Sequence, residues 1–293
     1  MEWVAVLMPV GLLFLGFPIF IILIATSAVI LMFFTSVPWT AVHQVMFGSV
    51  DKFALMAVPF FIFAGELMGY GGISRRIIDW VMSIIGGMRG SLALTTVGTC
   101  TIFGAISGSS PATVAAVGRL LYPPLRERGY DEKFSTGLLA SSGAIAIVIP
   151  PSISMILYGA SAEVSVSQLF IAGIFPGLVM AFLMAAYIYV YAVSKGIREG
   201  SKFDFNTFLH ASRQGVLSLG TPFIILGGIY AGVFSPTEAA GAACVYAIIV
   251  TKFIYTDMSW RALWDVSVSS MYLTAQVLII VAGAGVFSWL LTI

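Results

Sequence analysis

The sequence predicts an all-α, polytopic helical membrane protein in which a re-entrant hairpin and a broken helix accompany ordinary spans. Composition is the first observation: 59% of the residues are hydrophobic and 9% are charged, with a mean hydropathy of +1.03. These values exclude a soluble fold. The second is residues 104–118, GAISGSSPATVAAVG, which place Gly, Ser, Thr and Pro among strongly apolar helices. Irregular polar backbone survives in a bilayer only where it is buried in protein or lines a cavity.

Composition also limits the classes of function. A net charge of +1 indicates no nucleic-acid partner, and the start Met1-Glu2-Trp3 lacks the basic region of a cleavable signal peptide. Cys100 and Cys244 fall in apolar runs without metal or redox spacing, so we interpret them as core residues. No membrane-embedded constellation of His, Asp and Glu is evident, so we expect no catalytic residues, no enzyme activity and no cofactor.

The N-terminal region predicts spans separated by a connector. Residues 3–33 exceed one perpendicular span, and Gly16-Phe17-Pro18 predicts a kinked or two-part helix. If this segment crosses once, the N-terminus is cytoplasmic. Residues 38–52 are expected to form a connector, and 53–70 a second span containing Glu66, for which an interfacial position is favoured over a buried functional carboxylate.

Residues 73–85 have the pattern of a helix that lies flat in the interface. Apolar side chains recur at helical spacing and are opposed by Arg75, Arg76 and Asp79. This helix leads into the central motif.

Residues 91–118 predict a re-entrant hairpin with its tip near Gly108–Ser110. The arms, 91–106 and 113–121, are each shorter than the ~20 residues of a span. Ser109 or Ser110 can cap the second arm, whose free N–H groups favour an anion, while the carbonyls that end the first arm favour a cation. Close packing of small residues is the alternative. The charged stretch 119–133 that follows is expected to be a solvated loop.

Residues 134–160 predict a helix broken near mid-membrane. Ser141-Ser142-Gly143 and Ile149-Pro150-Pro151-Ser152 interrupt it, and the two prolines remove N–H groups. The carbonyls around Ala146–Ile149 are then left without helical partners. Opposite a Ser-rich tip they would supply the oxygen ligands that a sodium ion needs, with Ser109 and Ser110 contributing further oxygens. A plain proline kink is the alternative.

The remaining chain predicts a span at 166–194, an interfacial stretch at 203–218, and spans at 216–231, 236–256 and 266–291. Ser235 and Glu238 have the spacing of a capping box, with Pro236 at the first helical position.

Charge distribution orients the molecule. In a re-entrant hairpin both ends lie on the same side of the membrane. If the other spans are arranged accordingly, thirteen of the fourteen Lys and Arg residues lie on that side and Lys52 lies on the opposite side. The positive-inside rule then makes that side cytoplasmic. The thirteen residues are Arg75, Arg76, Arg89, Arg119, Arg126, Arg128, Lys133, Lys195, Arg198, Lys202, Arg213, Lys252 and Arg261.

Four segments resemble the large membrane subunit of tripartite ATP-independent periplasmic (TRAP) transporters: GSSPATVAAVG at 108–118, IPPSISMILYG at 149–159, FPGLVMA at 175–181 and YAGVFSPTEAAG at 230–241. The resemblance implies a multi-pass bacterial inner-membrane protein that imports a small carboxylate, with sodium as the coupling ion and an elevator mechanism. It also implies a small four-helix membrane subunit and a periplasmic substrate-binding protein as partners, besides the lipid bilayer. The expected sodium- and substrate-binding residues are Gly108, Ser109, Ser110, Thr113, Gly143, Ile149, Pro150, Pro151 and Ser152.

The resemblance further implies two inverted repeats, each with one hairpin and one broken helix. Residues 1–215 correspond to the first repeat and 216–293 to part of the second, because the sequence reaches 293 where a second hairpin is expected. On this basis we expect the chain to insert without catalysing uptake by itself. A non-transporting fragment or a channel-like membrane protein is the alternative function, although no ring of charged residues indicates a pore.

Overall fold

The computed structural model describes residues 2–197 and 203–292. In these ranges the chain is helical and contains no β-strand, as the sequence predicts. The α-helices of the described ranges are α1 (Glu2–Phe14), α2 (Ile19–Phe34), α3 (Trp39–Val50), α4 (Ala57–Tyr70), α5 (Ile73–Ile85), α6 (Ser91–Ser107), α7 (Ser110–Glu127), α8 (Glu132–Val148), α9 (Ile153–Ala162), α10 (Val166–Ser194), α11 (Phe205–Tyr230), α12 (Pro236–Ile248) and α13 (Trp260–Thr292). A 3₁₀ turn (Phe53–Met56) precedes α4, and a π-helix (Ile249–Ile254) extends α12.

Several helices are long and apolar enough to cross a membrane. In the described part of the chain four meet this criterion, and α8 with α9 makes a fifth if the pair, bent by 43°, is counted as one span. The four are Phe53–Tyr70, Val166–Ser194, Pro236–Ile254 and Trp260–Thr292.

Contacts divide the chain into two compact units. One holds the described residues of Met1–Leu55 and Met271–Ile293, and the other is Met56–Ser270. The candidate site lies in the second unit. The repeat boundary expected at 215/216 falls inside α11 and remains a prediction.

In the first unit, α1 and α2 fold back on each other. Ala5 belongs to the same buried cluster as Ile30 and Leu31, although one straight helix would separate Ala5 from Ile30 by about 37 Å. The break at Gly16-Phe17-Pro18 is confirmed, with Gly16 at φ 79°. Because α1 and α2 fold back on each other, residues 3–33 do not form the single crossing on which a cytoplasmic N-terminus depended, and the side of the N-terminus remains a prediction. Residues 38–52 are not a plain connector either, because they contain α3.

In the second unit, α6 and α7 pack against each other as the two arms of a hairpin. The turn falls at Gly108 and Ser109, where the sequence predicts it. The second arm is longer than expected, because α7 continues to Glu127 with Pro123 and Pro124 in its last turns. The solvated loop expected at 119–133 is therefore wrong, and only the short segment 128–131 is non-helical.

The broken helix is confirmed at one of its two expected interruptions. The chain leaves helical geometry between Val148 and Ile153, around Pro150 and Pro151. It stays helical through 141–143, because Ser and Gly weaken a helix without removing its hydrogen bonds, as proline does.

Helix α5 has the predicted bounds, and its buried face includes Ile73, Ile77 and Val81. Its position in the membrane interface remains a prediction. It packs on α11, where the Trp80 indole donates a hydrogen bond to the Ser212 hydroxyl at 3.1 Å. The interfacial stretch and the span expected at 203–231 are one continuous helix, α11. The capping box at the start of α12 is confirmed.

Arg76 connects α5 to the segment after the π-helix. Its guanidinium forms a 2.5 Å ion pair with Asp257 and lies 3.6 Å from the centre of the Tyr255 ring. Lys252 donates to the Met258 carbonyl in the same segment. These contacts bring together cationic residues that the charge distribution predicts on one side of the membrane. Two others on that side, Arg198 and Lys202, lie outside the described residues.

Candidate ion and substrate site

The hairpin tip and the break of the second helix meet directly. The Gly108 carbonyl, at the tip, accepts a 3.1 Å hydrogen bond from the backbone N–H of Ile153, the first residue of α9. Gly108 and Ser152 are buried. The two irregular segments therefore form one site inside the second unit.

Gly108 is required at the tip for two reasons. Its φ of 60° is left-handed, which favours glycine. A Cβ atom at this position would also lie 2.7 Å from the Pro151 carbonyl oxygen and 3.2 Å from the Ile153 nitrogen. A side chain here would separate the tip from the break.

Two helix N-termini converge at this point. Ser109 caps α7, with its hydroxyl accepting from the Ala112 N–H at 3.4 Å, and Ser152 caps α9 by accepting from the Met155 N–H at 3.4 Å. Each N-terminus carries free N–H groups and about half a positive charge. Together they favour an anionic group, such as a carboxylate, near the tip.

Two helix C-termini converge beside them. Helices α6 and α8 lie side by side at these ends, since a Cβ atom on Gly104 would be 2.7 Å from Ala146 Cα. The carbonyls of Ser107, Ala146 and Ile147 each precede a proline by four residues. Proline has no N–H to donate, so these carbonyls lack the usual helical partner. They are the type of oxygen that binds a hard cation such as sodium.

A small hydrogen-bond network fixes the shape of the tip. The hydroxyls of Ser107 and Thr113 lie 2.9 Å apart, and the Thr113 hydroxyl donates to the Ser109 carbonyl at 2.8 Å. Thr113 is fully buried, so its contacts position the tip. Ser107 is absent from the residues expected from the sequence, although its place in the Ser-Gly-Ser run was a signal for it.

Ser110 and Gly143 lie at the contact between α7 and α8. A Cβ atom on Gly143 would be 3.4 Å from both the carbonyl and the hydroxyl oxygen of Ser110. Ser110 takes no part in the hydrogen-bond network of Ser107, Ser109 and Thr113, and the residue is partly exposed. Its role as an ion ligand remains a prediction.

Helix α10 packs against the break with two glycines. A Cβ atom on Gly173 would lie 2.5 Å from the Val148 carbonyl, and one on Gly177 would meet the Ile149 side chain and lie 3.4 Å from Ile149 Cα. Ile149 itself is 7% exposed. Gly177 belongs to the segment FPGLVMA, which thus has a packing function at the site.

All nine residues expected from the sequence lie at the tip, at the break, or at the adjoining α7–α8 contact. The described part of the chain contains no group of three or more His, Cys, Asp and Glu residues that could hold a metal. The roles of the nine residues as ligands remain a prediction.

Comparison with known proteins agrees with the sequence motifs. The model of the family "Tripartite ATP-independent periplasmic transporter, DctM component" matches residues 6–293. The isethionate TRAP transporter permease protein DctMQ of Oleidesulfovibrio alaskensis is 42% identical over 88% of this chain and 41% of its own length. The ectoine/5-hydroxyectoine TRAP transporter large permease protein UehC of Ruegeria pomeroyi is 41% identical over 96% of this chain and 66% of its own length.

A third relative is the C4-dicarboxylate TRAP transporter large permease protein DctM of Pseudomonas aeruginosa, which is 40% identical over 84% of this chain and 58% of its own length. The chain thus spans less than two thirds of these three relatives. The family is one of permeases and not of enzymes, and its members are multi-pass inner-membrane proteins. The chain therefore belongs to the DctM family of TRAP transporter large permeases.

Proposed function

We propose that this chain is part of a sodium-driven secondary transporter that imports a small carboxylate. The observation that carries the proposal is the hydrogen bond between the Gly108 carbonyl at the tip and the Ile153 N–H at the break. This hydrogen bond joins the ends of α6 and α7 at the tip to the ends of α8 and α9 at the break, so that the four helix ends form one site. Converging carbonyls and converging N–H groups suit a cation and an anion bound next to each other, as in other transporters with discontinuous helices.

The cation in this proposal is sodium, bound between Ser110 and the carbonyls of Ala146 and Ile147. A site of neutral oxygens suits a monovalent ion, because a divalent ion usually recruits carboxylates. The anion is the carboxylate of the substrate, held at the N-termini of α7 and α9. The relatives' names include isethionate, ectoine and C4-dicarboxylates. These compounds each carry an anionic group with oxygen atoms. The proposal therefore specifies the anionic group of the substrate and not the rest of the substrate molecule.

The proposed mechanism is of the elevator type. Helices α6, α7 and α8 pack closely at Gly104 and Gly143, and α9 is tied to the tip by the Gly108–Ile153 hydrogen bond. This packing supports their movement as one body that carries the site across the membrane. The proposed partners are a small four-helix membrane subunit and a periplasmic binding protein that delivers the carboxylate.

Sodium binding is tested by thermal unfolding of the purified 293-residue chain in a neutral detergent. We expect the midpoint to rise in sodium chloride relative to equal concentrations of potassium or choline chloride. At ten times the dissociation constant the ion contributes about 1.4 kcal/mol, which corresponds to a few degrees. Ser110→Ala removes one proposed ligand and is expected to abolish most of this increase.

Ser141→Ala is the matched control, because its hydroxyl donates to the Gly137 carbonyl of its own helix at 2.6 Å and the residue is exposed. It should keep the full sodium response. Equal midpoints in the three salts, or an undiminished response of Ser110→Ala, would exclude the proposed sodium site.

A further inference from the structure

A separate cavity lies between the end of α4, the start of α5 and the second hairpin arm, α7. Its volume is about 220 Å³, and Tyr70, Ser74, Arg75 and Arg119 contribute its polar side chains. Arg119 is ten residues beyond Ser109 on α7, which places it about 15 Å from the tip along the helix axis. The cavity is therefore distinct from the ion and substrate site.

The charged groups that line this cavity are both cationic. Arg75 and Arg119 are exposed residues, and the Arg119 guanidinium lies 5.2 Å from the centre of the Tyr70 ring. A guanidinium group can bind phosphate through two parallel hydrogen bonds. An aromatic ring that stacks against the guanidinium helps to hold the guanidinium in position.

Carboxylates are near the cavity, and two of them interact with the arginines that line it. Glu66 lines a smaller neighbouring cleft of about 60 Å³ that shares Tyr70 and Arg119 with the cavity, and its carboxylate interacts with Arg119. Asp79 follows Arg75 by one helical turn and interacts with both Arg75 and Arg76. Asp257 forms the ion pair with Arg76. These groups reduce the local positive charge. None of the three side chains lines the cavity, although the Asp257 carboxylate lies beside Gly72, which does.

Ser74 gives an independent indication of a ligand. It is 1% exposed, it lines the cavity, and its hydroxyl has no hydrogen-bond partner among the described residues. A buried hydroxyl without a partner is costly and needs an explanation. Ser74 also lies in the first turn of α5, whose capping residue is Gly72. The first-turn N–H groups are donors without helical partners, and they favour an anion.

We propose that this cavity binds a phosphate group through Arg75, Arg119 and the Ser74 hydroxyl. The space exceeds that of several water molecules of ~30 Å³ each, so it accommodates a phosphate with part of a headgroup. The phosphate comes either from a phospholipid at the membrane surface or from the free anion. A bound phosphate would connect the hairpin arm to α4 and α5.

The test measures thermal unfolding of the 293-residue chain in a neutral detergent, at constant potassium and without sodium. Two probes are titrated: potassium phosphate and short-chain phosphatidylglycerol. We expect at least one to stabilise the wild-type chain, and we expect Arg75→Gln and Arg119→Gln each to lower the apparent affinity roughly tenfold. Stabilisation by the lipid alone identifies a headgroup, and stabilisation by both shows that the free anion suffices.

Arg261→Gln is the charge-matched control, since Arg261 is exposed and does not line the cavity. Ser74→Ala separates ligand binding from folding: it should leave the ligand-free chain at least as stable while weakening phosphate binding. The proposal is overturned if neither probe stabilises the wild type, or if Arg261→Gln weakens binding as much as the two cavity variants. Unchanged affinity in Arg75→Gln and Arg119→Gln overturns it as well.

Discussion

Replacing Gly108 with alanine is expected to destabilise the chain by about 3 kcal/mol and to abolish its response to sodium. A left-handed φ costs a residue with a Cβ atom about 1–2 kcal/mol. The contact with the Pro151 carbonyl, 2.7 Å from that Cβ, adds a further ~1–3 kcal/mol of overpacking. Relief of this contact moves the tip away from the break and lengthens the Gly108–Ile153 hydrogen bond. Denaturant unfolding in detergent, with and without sodium, measures both effects.

Gly129→Ala is the matched control for backbone strain. Gly129 has a φ of 82°, but a Cβ atom there would meet nothing within 4 Å. This variant should show only the conformational cost, about 1–2 kcal/mol, and should keep the sodium response. If both variants are destabilised equally and both respond to sodium, the contact between the tip and the break is not what Gly108 provides.

Replacing Gly104 with alanine is also expected to be strongly destabilising. The new Cβ atom would lie 2.7 Å from Ala146 Cα and 2.8 Å from Ala146 Cβ. Neither atom is the flexible end of a side chain, so α6 and α8 must separate. We expect a loss of about 1–3 kcal/mol, together with weaker sodium binding, because the two C-termini move apart.

Gly137→Ala, a substitution on α8, is expected to stabilise the chain, whereas Gly104→Ala is expected to destabilise it. Gly137 is helical, and a Cβ atom there would meet nothing within 4 Å. Alanine should stabilise this helix by about 0.5–1 kcal/mol. A Gly104→Ala variant as stable as Gly137→Ala would show that α6 and α8 are not in close contact.

The sequence predicted the tip and the break because both depend on local chemistry. Glycine at a left-handed position, serine at a helix start and proline without an N–H act within one turn of the chain. For this reason Gly108, Ser109, Pro150 and Pro151 were recognisable from the residues alone. The sequence could also indicate that the two irregular segments suit one ion, because each leaves oxygens without partners.

Other features depend on contacts between distant residues, and the sequence did not show them. The chain folds back between α1 and α2 because Ala5 packs with Ile30 and Leu31, whereas an apolar run has the same composition in either arrangement. The charged stretch after Gly118 resembled a loop, yet α7 continues there beside α8. The packing functions of Gly104, Gly143 and Gly173 also became evident only with their neighbours.

The most direct test of the central claim is hydrogen–deuterium exchange of the purified 293-residue chain in sodium chloride and in choline chloride. If the tip and the break form one sodium site, sodium should slow exchange in peptides that cover residues 104–118 and 143–155, including the N–H of Ile153. Exchange in α12 should remain unchanged in the same experiment. Sodium protection of only one of the two segments, or equal exchange of both segments in the two salts, would contradict the claim.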